Sequence, residues 1–112
     1  MPEICLIDKK CKPCEGGAPV LTESQAKAFM KQLKPGWELT PGAKEIRKGY
    51  RFKNFKETMG FVNLAAAVAE SEGHHPDMEV SWGLCGVRLS THAIQGLSEN
   101  DFILAAKIDA LQ

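Results

Sequence analysis

Apolar side chains at Ala26, Phe29, Met30 and Leu33 follow Thr22-Glu23-Ser24-Gln25 at the spacing of one helix face. A threonine hydroxyl can accept an unpaired N–H of the first turn, and a glutamine three residues later can reach back to the cap. The tetrapeptide therefore predicts a helix start, and Pro35-Gly36 predicts its end. Trp37-Glu38-Leu39 reads as a short strand and Pro41-Gly42 as a turn. Ile46, Tyr50 and Phe52 then alternate with Arg47, Gly49 and Arg51, as in a strand with one buried face, so this stretch predicts a hairpin.

Asn54 with Glu57 three residues on predicts a second helix, with Phe55, Met59, Val62, Ala66 and Ala69 as its buried stripe, running to about Glu72. Gly73 suits the left-handed residue after a helix, and Pro76 prevents continuation. Met78, Val80 and Trp82 alternate with Glu79 and Ser81; Gly83–Gly86, Cys85 included, supplies a turn; Val87 and Leu89 alternate with Arg88 and Ser90. This is a second hairpin. Ser98 with Asp101 opens a last helix carrying Phe102, Ile103, Ala106 and Leu111. The order α-β-β-α-β-β-α predicts an α+β domain, an antiparallel sheet with its helices gathered on one face.

The chain of 112 residues is the size of one domain. Residues 20–112 read as its body, and residues 1–19 as a flexible arm ending in Gly16-Gly17-Ala18-Pro19. So small a domain buries only roughly 60–68% of its unfolded surface, so subunit association is expected. The 14 basic and 14 acidic side chains cancel and are scattered, which argues against direct nucleic-acid binding. Phe61–Ala69, the longest apolar stretch, is far short of the ~20 residues of a bilayer span, and the start lacks a signal-peptide core. A cytoplasmic, membrane-free protein is expected.

Three of the four cysteines, Cys5, Cys11 and Cys14, fall in the first fourteen residues, and Cys85 stands apart. Cys11-Lys12-Pro13-Cys14 has the spacing of zinc knuckles and thiol redox motifs. A knuckle needs a second pair, however, and a redox motif would open a helix after a strand, so the motif reads as incidental to the arm.

All three histidines lie at element ends: His74 and His75 after the long helix, His92 after the Val87–Thr91 strand. Glu70 precedes His74 by one helical turn and Asp101 lies in the first turn of the last helix. A carboxylate beside an imidazole fixes its tautomer, which suits general acid–base work near neutral pH. The plain alternatives are a solvated helix face for Glu70 and helix capping for Asp101. A three-histidine zinc site is a rival reading, against which stand the adjacency of two histidines and the lack of a nearby thiolate. There is no P-loop, dinucleotide glycine fingerprint or Gly-x-Ser-x-Gly elbow, so no cofactor is expected.

Glu70-Ser71-Glu72-Gly73-His74-His75-Pro76, then Leu89-Ser90-Thr91-His92, then Gly96-Leu97-Ser98-Glu99-Asn100-Asp101 together resemble the pterin-4a-carbinolamine dehydratase family over roughly residues 20–110. The resemblance implies a four-stranded antiparallel sheet with three helices, assembled as a homodimer or homotetramer. It implies a dehydratase that removes water from a 4a-hydroxytetrahydropterin to give the quinonoid dihydropterin, recycling pterin after aromatic amino-acid hydroxylation.

Carried over position by position, the resemblance makes His74 and His92 the main acid–base pair and His75 a pterin-binding or auxiliary base. Glu70 and Asp101 become orienting residues, Pro76 structural. Gly73 and the backbone of Ser90, Thr91, His92 and Ala93 form the pocket edge with the histidines, and no metal is required. Met78 departs from the tryptophan of many animal members, which bears on pocket walls or oligomer contacts. Animal members of the family also stabilise dimers of a homeodomain transcription factor, and some plant and bacterial relatives resemble Rubisco assembly factors. A protein partner, hydroxylase or assembly client, is thus a further expectation.

Overall fold

Both halves of the expected helix cap form in the computed structural model, which describes residues 6–11 and 20–112. The Gln25 N–H donates to the Thr22 hydroxyl (3.1 Å) and the Thr22 N–H to the Gln25 amide oxygen (2.9 Å). They start helix α1, Glu23–Met30. It stops short of Pro35-Gly36 and gives way to turns, past which the Lys34 N–H donates to the Asp109 carboxylate (3.1 Å). Strands β1 (Glu38–Leu39) and β2 (Ile46–Arg51) pair antiparallel, as the alternation predicts.

Helix α2, Phe55–Glu72, begins where the Asn54 side chain accepts the Glu57 N–H (2.8 Å), and ends at Gly73, whose φ of 65° is left-handed. Its buried residues are Thr58, Phe61, Ala65 and Ala69. Of the predicted stripe, only Ala69 is buried, while Phe55 and Ala66 are exposed. Much of the helix is apolar on several sides, so its pattern barely favours one rotation. Packing decides: Phe61 lies 4.6 Å from the Tyr50 ring and 5.2 Å from the Phe52 ring, centroid to centroid.

Strands β3 (Asp77–Ser81) and β4 (Leu84–Leu89) are joined by Trp82-Gly83. Cys85 is therefore not in the turn, as the pattern suggested, but in β4 with no exposed surface. The turn tucks beneath Phe52, whose N–H donates to the Gly83 carbonyl (2.8 Å); a Cβ on Gly83 would come 2.8 Å from the Phe52 carbonyl oxygen. That contact requires a glycine. Helix α3, Glu99–Asp109, completes the α+β domain.

The sheet order is β1-β2-β4-β3, so the two hairpins join through β2 and β4, with Tyr50 opposite Cys85. Ile46, Tyr50, Cys85, Val87 and Leu89 occupy the buried face, while Arg47, Arg51 and Arg88 are exposed on the other. Phe102 of α3 stacks on Phe29 beside α1's end, ring centroids 5.3 Å apart.

Asp109, at the end of α3, ties the layers together. Its carboxylate accepts Lys48 Nζ (2.7 Å), the Tyr50 hydroxyl (2.6 Å), Trp37 Nε1 (3.0 Å) and the Lys34 N–H. Burial, then the bond to Asp109, pushes the Tyr50 phenol well above its usual range. Lys48 Nζ also lies 4.8 Å from the Tyr50 ring centroid.

The described part of the N-terminal region, Leu6–Cys11, packs on α3 and the end of α2. Leu6 is buried, Lys9 pairs with Glu99 (3.2 Å), and the Cys11 N–H donates to Glu72 (2.8 Å). Lys107 Nζ occupies the other Glu72 oxygen (2.8 Å). These contacts, Lys107 first, hold the Glu72 carboxyl below its usual range. Cys14 and Gly16–Pro19 lie outside the described residues.

Burial, then the Glu72 carboxylate, pushes the Cys11 thiol up to about 12. A nucleophilic cysteine requires the thiolate. Cys11 is expected to alkylate more than roughly tenfold slower at pH 8 than an ordinary exposed thiol. Peptide mapping after iodoacetamide pulses would measure this, and reaction at the ordinary rate would contradict it. Among the described residues, no helix is long and apolar enough to cross a membrane.

Candidate active site

The left-handed turn at Gly73 sends the two following histidines to different environments. His74 turns inward, its side chain 11% exposed, and its Nε2 lies 2.6 Å from Asp101 Oδ1. His75 turns outward, and its Nε2 lies 2.6 Å from Glu70 Oε1, with both side chains exposed. His92 opens a 3-10 turn, His92–Ile94, beyond β4. Its Nε2 is 3.7 Å from Asp77 Oδ2, outside hydrogen-bond range, and both groups are exposed.

Asp101 has no exposed surface. A buried carboxylate needs donors to remain charged. Here Oδ2 accepts the Thr91 hydroxyl (2.7 Å) and the Ser98 N–H (3.0 Å), and the Thr91 and Ser98 hydroxyls lie 2.7 Å apart. With Asp101 ionised, the carboxylate is acceptor only, the His74 ring presents N–H at Nε2, and a neutral ring keeps its lone pair on Nδ1. The sequence position of Asp101 permitted a capping role, and Asp101 does accept the cap-residue N–H; its other oxygen faces His74.

A cavity of about 240 Å³ is lined by Gly73, His74, His75, Ser90, Thr91, His92 and Ala93. These are the seven residues that the sequence placed at a pocket edge, brought together from the end of α2 and the loop after β4. Thr91 differs from its neighbours: its side chain turns inward to Asp101 and the residue is 3% exposed. Its N–H donates to the Gly96 carbonyl (2.8 Å), which closes the loop carrying His92. Pro76 leads from the histidines into β3. Met78 faces Val87 across β3 and β4, packs against the core, and is not among the residues lining this cavity.

Asp77 belongs to no motif in the sequence, where it follows the tripeptide His74-His75-Pro76. The one local signal was its place directly after that tripeptide. Its nearness to His92 depends on β3 and β4 pairing, which sets Asp77 opposite Arg88. A larger cavity, about 610 Å³, is lined by Leu6, Ile7, Gln32, Lys34, Ala106, Asp109 and Ala110. It holds no histidine, and the Asp109 carboxylate is already engaged by four donors, so the smaller cavity is the chemically equipped one. Among the described residues, no three His, Cys, Asp or Glu side chains are gathered as a metal ligand set.

Comparison with known proteins identifies the chain's relatives. The family model described as Pterin 4 alpha carbinolamine dehydratase matches residues 19–111. A Nitrosomonas eutropha protein named for pterin-4-alpha-carbinolamine dehydratase is 53% identical over 112 residues, covering 99% of this chain and 97% of that one. The crystal structure of a transcriptional coactivator/pterin dehydratase from Brucella melitensis superposes with a TM-score of 0.78 at 33% identity, covering 83% of this chain and 98% of that one. A pterin dehydratase-like protein identified as a RuBisCO assembly factor in the alpha-carboxysome gives 0.60 at 25% identity, covering 68% and 88%. With a match across nearly its whole folded body, the chain belongs to the pterin-4-alpha-carbinolamine dehydratase family, a family of hydro-lyases.

Proposed function

We propose that this protein eliminates water from a 4a-hydroxytetrahydropterin by histidine general acid–base catalysis, so that pterin is recycled after aromatic amino-acid hydroxylation. The observation that carries the reading is the His74–Asp101 pair, a ring held at 2.6 Å by a fully buried carboxylate, at the cavity that His75 and His92 also line.

In the substrate one carbon, C4a, carries a hydroxyl and is bonded to N5. Loss of water breaks the C4a–O bond and the N5–H bond and forms a C4a–N5 double bond. A base must take the N5 proton, and an acid must protonate the departing hydroxyl. His74 is the base, with Nε2–H anchored on Asp101 and Nδ1 left to accept. His92, which lines the same cavity with Asp77 near its ring, is the acid. His75 and the backbone of Gly73, Ser90 and Ala93 hold the pterin edge, and Glu70 orients His75. No step calls for a metal or cofactor.

The test is direct. Purified protein is expected to accelerate decay of a 4a-hydroxytetrahydropterin made by a coupled hydroxylase, equally well with chelator present. Decay no faster than in buffer would overturn the proposal.

The RuBisCO assembly factor among the structural relatives favours a second reading, a protein-docking role on the same fold. Fold alone does not choose between them. A carboxylate near each of three histidines supports the enzyme, because docking has no use for it. Both roles are compatible with a homodimer or homotetramer in the cytoplasm.

A further inference from the structure

We propose that the Thr91 hydroxyl is a positioning group for the dehydration: by donating to Asp101 it keeps that carboxylate an acceptor, and so holds the His74 proton on Nε2 and its lone pair on Nδ1. The inference rests on the reading of His74 as the base and asks what keeps that base in its working form.

Burial without partners favours the neutral form of a carboxyl group. Were Asp101 to take up a proton from solvent, the pair would hold one proton more, and the carboxyl would donate to His74 Nε2. The neutral ring would then bear its own hydrogen on Nδ1 and could not accept the N5 proton there. Which tautomer prevails depends on the donors at the far oxygen of Asp101. One is the Ser98 N–H (3.0 Å), a backbone group present whatever side chain stands there. The other is the Thr91 hydroxyl, closer at 2.7 Å.

Geometry commits that hydroxyl. The Ser98 hydroxyl lies 2.7 Å from Thr91 Oγ1 and can donate to it, leaving the Thr91 hydrogen for Asp101. Thr91 is only 3% exposed, so bulk water does not compete for the bond. A β-branched side chain has few rotamers, and the backbone beneath is pinned by the Thr91 N–H to Gly96 bond. One residue thus serves both sides of the site: its backbone lines the cavity beside His92, and its side chain sets the state of His74.

The experiment compares full-length wild type with Thr91→Val, which keeps the shape without the hydroxyl, and Thr91→Ser, which keeps the hydroxyl. Nitrogen-15 spectra of the histidine rings report the His74 tautomer, and steady-state kinetics report kcat and KM. Wild type and Thr91→Ser are expected to show the Nε2–H tautomer, with kcat within about threefold of each other. Thr91→Val is expected to populate the Nδ1–H tautomer and lose roughly tenfold or more in kcat, with KM changed less than about threefold.

A valine variant with wild-type tautomer and rate overturns the inference, and so does either readout moving alone. Should that variant not fold, Thr91→Ala is read by the same criteria. Wild type without dehydratase activity would sink the reading of the whole site, and this inference with it. An active wild type that dies with His74→Ala yet ignores Thr91→Val would sink this inference alone.

Discussion

Replacing His74 with alanine is expected to lower the dehydration rate by about 10²–10⁴-fold, the usual contribution of a positioned general acid or base. The loss should appear in kcat, because the missing group acts on the proton transferred in the transition state. Asp101→Asn should fall in the same range. A carboxamide can offer its NH₂ to Nε2, which would move the ring hydrogen to Nδ1 and turn the base into a donor. Glu70→Gln should cost far less, under about threefold, because the Glu70–His75 pair is solvent-exposed and such pairs contribute little. Coupled-assay kinetics on these three folded variants would measure the ranking. Unchanged rates in His74→Ala and Asp101→Asn would place the chemistry elsewhere.

The second large effect is on stability. Asp109→Ala is expected to destabilise the fold by about 3–5 kcal/mol, the range seen when one partner of a buried ion pair is removed. Lys48, only 12% exposed, would lose its counter-charge, while Tyr50, Trp37 and the Lys34 N–H would each lose an acceptor. Against a total stability of roughly 5–15 kcal/mol, this would bring the domain close to unfolding. Lys48→Met should cost less, since Asp109 keeps three donors. Urea unfolding of the two variants measures both quantities. A loss below about 1 kcal/mol for Asp109→Ala would show that the hub is not a structural tie.

Much of this architecture was legible in the residues because its causes are local. Thr22 with Gln25, Asn54 with Glu57, and Gly73 act within four residues of themselves, and each cap forms as predicted. Alternation over Ile46–Arg51 likewise reports one buried face of a strand. Readings failed where the deciding partner is remote. Past the early end of α1, the Lys34 N–H finds its acceptor on Asp109, 75 residues away. The α2 stripe is rotated because Phe61 finds Tyr50 and Phe52, a choice that a helix apolar on several sides leaves open. Cys85 looked like part of a glycine-flanked turn, yet pairing with Tyr50 carries it into the core.

The candidate site divides the same way. His74, His75, His92, Glu70 and Asp101 could be picked out from residue type and from their places at element ends, and the motif resemblance supplied the substrate. Chain order by itself determined the sequence of elements, the helix caps and the pool of acid–base groups. Only the tertiary structure decided that His74 is the inward-turned, half-buried histidine with a buried carboxylate, that Thr91 turns inward to that carboxylate, and that Asp77 approaches His92. The reason is physical. Tautomer and charge follow from burial and from donors on other elements, and those neighbours exist only once α2, β4 and α3 have packed.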